Sequence, residues 1–215
     1  MFNNNNETGR SMIEMLGVLA IIGVLSVGGI AGYSKAMMQY KINKTVDQIS
    51  QISGNIRTLF ANQKTYQALD NGTGSINYTL IKKAHLVPDE MWNSAGTAIE
   101  NTFGGSFSIM SAGKKQGVAD WKGFGFYLTS LPEDACMALA TYDWGSDTSS
   151  GLVAIGINAG SPNSITSTTR FYGGMGNNDE AVAIPGGTVS VPMPVNIAAS
   201  ACKTGDTNSI TVNFH

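Results

Sequence analysis

A lone carboxylate, two cysteines, two histidines and three acidic pairs are the residues here that could do chemistry. Glu14 stands where the stretch Ser11 to Tyr33, SMIEMLGVLAIIGVLSVGGIAGY, turns apolar, and no charged side chain follows between Met15 and Tyr33. A charge near a membrane core costs roughly 2.5–3.5 kcal/mol on the insertion scale, so a carboxylate kept there points to a partner. Cys136 and Cys202 are the only cysteines. A metal site on two thiolates needs further His or Cys ligands close by in sequence, and none stands near them.

The remaining groups have plain explanations. His85, beside Leu86, reads as a surface or packing residue, and His215 is the only other histidine. Asp89/Glu90, Glu133/Asp134 and Asp179/Glu180 sit in turns or at helix starts, where capping and solvation account for them better than paired acid–base catalysis. Their spacing is not that of a calcium-binding EF-hand loop. No G-x-S-x-G elbow, P-loop or H-E-x-x-H stretch occurs, and Gly113-Lys114-Lys115 lacks the glycine spacing of a phosphate cradle. Trp92, Trp121 and Trp144 read as core or subunit-interface residues. The expectation is a protein that is not an enzyme, with no cofactor and no metal.

Net charge is −2 and charged residues make up 13% of the 215, so no basic field exists to hold nucleic acid. About 150 residues remain beyond the N-terminal helix, enough to bury the core of one domain. The 26 glycines, with many Ser, Thr and Asn, point to a loop-rich exterior that carries strands.

Two kinds of helix must hold these groups. At ~1.5 Å per residue, the roughly 19 residues from Met15 to Tyr33 nearly cover the ~30 Å hydrocarbon core of a bilayer. Beyond them Met38, Ile42, Val46, Ile49, Ile52, Ile56 and Leu59/Phe60 recur at spacings of three and four, with Lys41, Lys44, Asp47, Gln48, Gln51 and Arg57 between. No proline interrupts Arg10 to Tyr66. The pattern predicts one helix of about 50 residues, ~75–80 Å long, apolar all round at first and striped later, its first half projecting from a folded domain. Gly23, Gly28, Gly29 and Gly32 weaken it by up to about 1 kcal/mol each, or allow close approach of another helix.

Asp70-Asn-Gly-Thr-Gly74 breaks the helix. A short helix is expected over Tyr78 to Leu86 with Leu80, Ile81 and Ala84 inward, and another over Pro132 to Ala140 carrying Cys136 beside Leu139. Strands are expected at Ser106–Met110, Phe124–Leu128, Gly151–Ile157 and Ser209–Phe214, with 163–178 exposed. In a chain with a membrane-inserted N-terminus, Cys136 and Cys202 are most simply a disulfide, two buried thiols being the alternative. Closing about 67 residues would stabilise by roughly 4 kcal/mol.

The segment Gly9-Arg10-Ser-Met-Ile-Glu14 resembles the processing site of type IV prepilins: a short polar leader, a glycine before the cut, and Glu at the fifth mature position of an apolar helix. Arg10 departs from the Phe or Met of the best-known members. Met1 to Gly9 carries no Lys or Arg, unlike the basic start of an ordinary secretory signal. By charge count alone, Arg10 against Lys35, Lys41 and Lys44 would orient the helix the opposite way. The resemblance implies cleavage after Gly9 on the cytoplasmic side and N-methylation of the new α-amino group on Arg10. It also implies that Glu14 pairs with that amine on a neighbouring subunit; the bland alternative is a carboxylate snorkelling at the membrane edge.

Leu86-Val-Pro-Asp-Glu-Met91, Asn101-Thr-Phe-Gly-Gly105, and Leu131-Pro132 with Cys136 and Leu139 follow in an order similar to the globular domain of PilS-like type IVb pilins. The nine-residue leader is shorter than is usual there. The implied fold is α+β: a long N-terminal helix packed on an antiparallel sheet with short helices. The implied parts are a leader 1–9, a membrane or filament-core helix 10–33, its amphipathic half 34–62, and a head 63–215 with a disulfide-bounded region 136–202. The implied role is a major pilin that polymerises into a surface filament for adhesion, aggregation or conjugation. Its partners would be copies of itself, a prepilin peptidase, an inner-membrane assembly platform, an outer-membrane secretin, minor pilins and a host or recipient cell surface. A minor pilin or type II secretion pseudopilin is one rival reading; a monomeric membrane-anchored periplasmic binding protein is another, and a membrane-bound enzyme a distant one.

Overall fold

The computed structural model describes residues 8–70, 76–115, 118–145, 151–158, 171–172 and 192–214; the side chains at 8–11, 112–121, 153–154 and 171–172 lie outside that description. One helix, α1 (Thr8–Phe60), runs without a break. The chain divides within it into two compact units, Met1–Tyr40 and Lys41–His215.

In the second unit the apolar stripe behaves as its spacing dictates. Ile42, Val46, Ile49, Ile52, Ile56 and Phe60 are all buried, whereas Leu59 is exposed. Thr45 and Gln48, on the flank of the stripe, are buried too. Both find partners on the long connection that follows. The Thr45 and Thr102 hydroxyls are 2.7 Å apart, and Thr102 Oγ1 donates to the Lys41 carbonyl at 3.1 Å. Gln48 Nε2 donates to Glu90 Oε1 at 2.9 Å, and Lys44 Nζ lies 3.2 Å from the same oxygen.

That connection is tied down by side chains. Asn77 Oδ1 accepts the Leu80 N–H and starts α2 (Tyr78–Lys83). The helix is shorter than the sequence suggests, because His85 takes a left-handed φ of 48°. The Leu86 N–H then reaches back to Ile81 O and the His85 N–H to Lys82 O, closing the last turn. Ile81 is buried, while Leu80 and Ala84 are only half-buried.

The sheet is five-stranded, in the order β1-β2-β5-β3-β4, from β1 (Phe107–Lys115), β2 (Val118–Leu131), β3 (Leu152–Ile157), β4 (Phe171–Tyr172) and β5 (Asn208–Phe214). Every pairing is antiparallel. The expectation of exposure for 163–178 lies outside the described residues, where only the backbone of Phe171–Tyr172 is given. Directly opposed residues share a face, and one face carries Phe107, Ile109, Phe124, Phe126, Leu128, Ile155, Ile157, Ile210, Val212 and Phe214, all buried. Phe124 stacks on Phe214 at 5.6 Å and meets Tyr66 at 5.0 Å. The Arg57 guanidinium of α1 lies over both Phe214 (5.6 Å) and Phe124 (5.9 Å). On the same face, Asp70 accepts from the Ser111 N–H (3.2 Å) and hydroxyl (2.6 Å).

The Asn101-Thr-Phe-Gly-Gly105 segment is a clamp on β2. Asn101 Nδ2 donates to the carbonyls of Thr129 (2.8 Å) and Ser106 (3.3 Å), while its Oδ1 accepts the N–H groups of Phe103 (2.9 Å) and Gly105 (3.2 Å). Beside it, Ser130 takes a φ of 57°, where the β2–β5 register slips between Leu128 and Leu131. Gly105 lies against this bulge. A Cβ there would meet the Thr129 carbonyl group and come within 2.8 Å of Ser130 Cβ.

Two outcomes follow from these contacts. Gly105→Ala is expected to lose roughly 1–3 kcal/mol by overpacking, read as a fall in Tm of several degrees by circular dichroism. An unchanged Tm would mean the bulge moves freely. Glu90 is held below the ordinary carboxylate range, first by the hydrogen bond from Gln48 and then by Lys44. Its lowered pKa stabilises the fold above the unfolded value of ~4.3, and the gain is lost as pH falls through the folded value. The side chain is 53% exposed, so screening limits the effect to about 0.2–1 kcal/mol. The Tm gap between wild type and Glu90→Gln, present at pH 7, should therefore close as pH falls below that value.

Candidate assembly surface

Every residue from Met12 to Ala36 is exposed. Met12, Ile13, Met15, Leu16, Val18, Leu19, Ile21, Ile22, Val24, Leu25, Val27 and Ile30 are among them, each more than half accessible. An 18-residue window here has a mean hydropathy of 2.2, and the helix is long and apolar enough to cross a membrane by length and composition. A helix satisfies its own backbone polar groups, which is what a bilayer or a dry helical bundle demands. Ser34, near the end of the stretch, returns its hydroxyl to the Ile30 carbonyl at 3.0 Å.

Glu14 is exposed within this surface. Gly9 and Arg10 fall in the first turn of α1, with their side chains outside the description. At Gly17, Gly23, Gly28, Gly29 and Gly32 a Cβ would meet nothing within 4 Å. Packing among the described residues therefore does not explain five residues that each weaken a helix by about 1 kcal/mol relative to Ala.

Cys136 and Cys202 form a disulfide, with Cα atoms 6.0 Å apart and a sequence separation of 66. Cys136 lies on α3 (Glu133–Ala140), which opens after Pro132 with Glu133 and Asp134 in its first turn, at the positive end of the helix dipole. Cys202 caps the end of α4 (Val195–Ala201), a helix that opens after Pro194. Downstream, the buried Asn208 holds the turn into β5. Its Oδ1 accepts the Lys203 N–H at 2.7 Å, and its Nδ2 donates to Lys203 O (2.7 Å) and Leu131 O (3.2 Å).

A cleft of about 370 Å³ lies between α1 and the turn after α3, lined by residues including Ile49, Ser53, Arg57, Tyr142, Trp144 and Phe214. Trp144 is buried at its edge, donating Nε1–H to Leu139 O at 2.9 Å. Trp92 is half-buried beneath Tyr78 and Lys82, and the Trp121 side chain is outside the description. Among the described residues no three His, Cys, Asp or Glu side chains gather as a metal site. His85 is a helix stop; Glu90 pairs with α1; Asp179/Glu180 and His215 fall outside the described residues. Arg57 and Asn208 were the structurally decisive polar residues least visible in the sequence. Arg57 reads as an ordinary polar-face residue until the two phenylalanines beneath it are known.

A family model described as "PilS N terminal" matches residues 39–214. The chain is 28% identical over 214 residues to the "Major structural subunit of bundle-forming pilus" of Escherichia coli O111:H-, covering 98% of this chain and 96% of that protein. The subunit of the same name from Escherichia coli O127:H6 (strain E2348/69 / EPEC) is similar to the same extent. Among solved structures, a type IV b pilin from Salmonella typhi aligns with 80% of this chain and 99% of its own, at 14% identity and a TM-score of 0.49. The family match spans most of the sequence, including the Asn101 clamp, the disulfide and the whole sheet, and the chain belongs to the PilS family of type IV pilins.

Proposed function

We propose that this chain is the repeating structural subunit of a type IV pilus, built by exchanging the lipid around α1 for the α1 helices of other copies. The observation that carries this reading is the uncovered apolar stretch. Burying a large apolar side chain is worth roughly 1.5–3 kcal/mol, and twelve stand exposed between Met12 and Ile30. Covering them is worth on the order of 20 kcal/mol, more than the ~5–15 kcal/mol that holds a typical domain together. The five glycines, at which an added Cβ would meet nothing among the described residues, fit close helix approach in the assembled state. The names of the two pilus subunits most of whose length it matches agree with this reading.

In the same reading residues 1–9 are a leader, removed after Gly9 by a prepilin peptidase, and the freed amine of Arg10 is N-methylated. Residues 10–33 anchor the precursor in the inner membrane and then form the filament core; 34–62 carry the head, 63–215. Glu14 pairs with the amine of Arg10 on a neighbouring copy, offsetting the cost of burying either charge alone. An inner-membrane platform would lift subunits into a fibre that leaves through an outer-membrane secretin, with minor pilins taking part. Many identical heads on one fibre would let weak contacts to a host or recipient cell add up.

N-terminal sequencing of subunits from sheared surface fibres should begin at Arg10. Glu14→Ala should leave that cut intact and reduce fibre yield by tenfold or more. A chain recovered uncut at Gly9, or Glu14→Ala fibres at normal yield and length, would contradict the reading.

A further inference from the structure

In the second unit, three large apolar side chains stand exposed among the described residues: Leu59 at 43%, Tyr142 at 42% and Val195 at 63%. Val195, the most accessible, is also firmly held. Pro194 opens α4, and its carbonyl accepts the Ile197 and Ala198 N–H groups at 3.0 and 3.1 Å. Met193 before Val195 and Ala198 after it are buried, and Cys202 fixes the far end of the helix. Val195 is therefore a knob on a fixed support. A single exposed valine is ordinary; it gains a meaning from a hole of matching chemistry on the same surface.

The cleft between α1 and the turn after α3 is such a hole. On its α1 side stand Ser50, Ser53 and Gly54, neighbours on one flank of the helix, so that flank is cut back to small residues. On the other side Tyr142 and Trp144 meet edge to face at 4.8 Å. That wall is preformed, since Trp144 is bonded to Leu139 O and the Gly145 N–H donates to Asp143 Oδ1 at 3.0 Å. Ile49 and Phe214, both buried, are apolar lining, while Arg57 and Asp143 supply charge. Aromatic lining with polar groups beside it is the make-up of a protein–protein contact. At about 370 Å³ the cleft is near the lower end of the ~300–1,000 Å³ of ligand pockets, which suits one or two side chains and not an extended segment.

Ser53 is a second, independent sign. Ser34, Thr45 and Thr58 on the same helix each return their hydroxyl to the carbonyl four residues back. Ser53 lines the cleft at only 7% exposure, and among the described residues nothing hydrogen-bonds its hydroxyl. A buried polar group left this way calls for a partner from outside. Asn196, exposed beside Val195, carries an amide that can both donate and accept.

We propose that this cleft is a socket for Val195 of a second copy, with the Asn196 amide of that copy meeting the Ser53 hydroxyl. Knob and socket are different patches, so the contact is head-to-tail: each joined copy keeps one of the two free for the next, as a growing helical array requires. Its place in a fibre rests on the pilus reading; the match between the two patches does not.

A photo-reactive benzophenone side chain at position 195 tests the pairing, in sheared fibres and in the concentrated full chain in detergent. Irradiation should link position 195 of one copy to 49–57 or 142–145 of another, mapped by mass spectrometry. Links that fall elsewhere, on Leu59 included, or no link between copies in either sample, overturn the proposal. Val195→Asp removes the knob and Ser53→Leu fills the hole. Each should lower fibre yield by tenfold or more while trimmed subunit accumulates in the membrane at the wild-type level. Position 195 is exposed, so Val195→Asp should keep the wild-type Tm, and normal fibre yield from it overturns the socket whatever Ser53→Leu does to folding. If wild-type cells make no fibres, the pilus reading falls and the links formed in detergent decide the socket by themselves.

Discussion

A helix that is apolar on every face cannot be left in water, and a helix with one apolar stripe cannot be left without a domain. α1 is both in turn. From Met12 to Ile30 its large side chains point outward all round and remain accessible. From Ile42 to Phe60 the same backbone presents one stripe, and that stripe is buried. The change of pattern assigns two environments to one continuous element, and the rest of the molecule answers to it. The second environment is built by the chain itself. The first, in the proposed reading, comes from lipid and then from other copies.

The head meets its half of the demand with aromatic packing and a few well-placed polar clamps. The sheet offers α1 a face of Phe and β-branched residues, and Arg57 rests its guanidinium on Phe124 and Phe214, where cation–π attraction adds to burial. Polar side chains hold the irregular parts: Asn101 on the bulge of β2, Asn208 on the turn into β5, Asp70 on Ser111 at the outer flank of β1. Each satisfies several backbone or side-chain groups at once, which is the arrangement that keeps buried polar groups from being a liability. Oxidation then links α3 to the end of α4, next to the last strand.

Much of this was legible in the sequence, for physical reasons that differ by element. The stripe on α1 was readable because burial there follows the helical period, and the strands around Ile109, Phe126 and Val212 because their alternation survives in one dimension. The cysteine pair was readable because the sequence has only two cysteines and no further His or Cys near them to build a metal site. Gln48 reads as polar flank, yet it is buried, as is Thr45, since their partners at Glu90 and Thr102 come from distant sequence. The helix at Val195–Ala201 carries too few residues for a periodic signal. The two-residue strand β4 has none at all. Strand order was equally hidden: nothing local to 208–214 says that it lies between β2 and β3. The family was legible in the order of Leu86–Met91, Asn101–Gly105 and Leu131–Leu139, which lie within the matched residues 39–214.

The proposed filament requires Met12 to Tyr33 to be surrounded by the same segment of other copies. Electron cryomicroscopy of fibres sheared from cells measures this directly. In the proposed filament these helical segments from many copies lie bundled along the fibre axis, out of reach of solvent, with the heads, 63–215, on the outside. Fibres that lack this chain, or that contain it with the apolar segment facing water or away from its neighbours, would contradict the account.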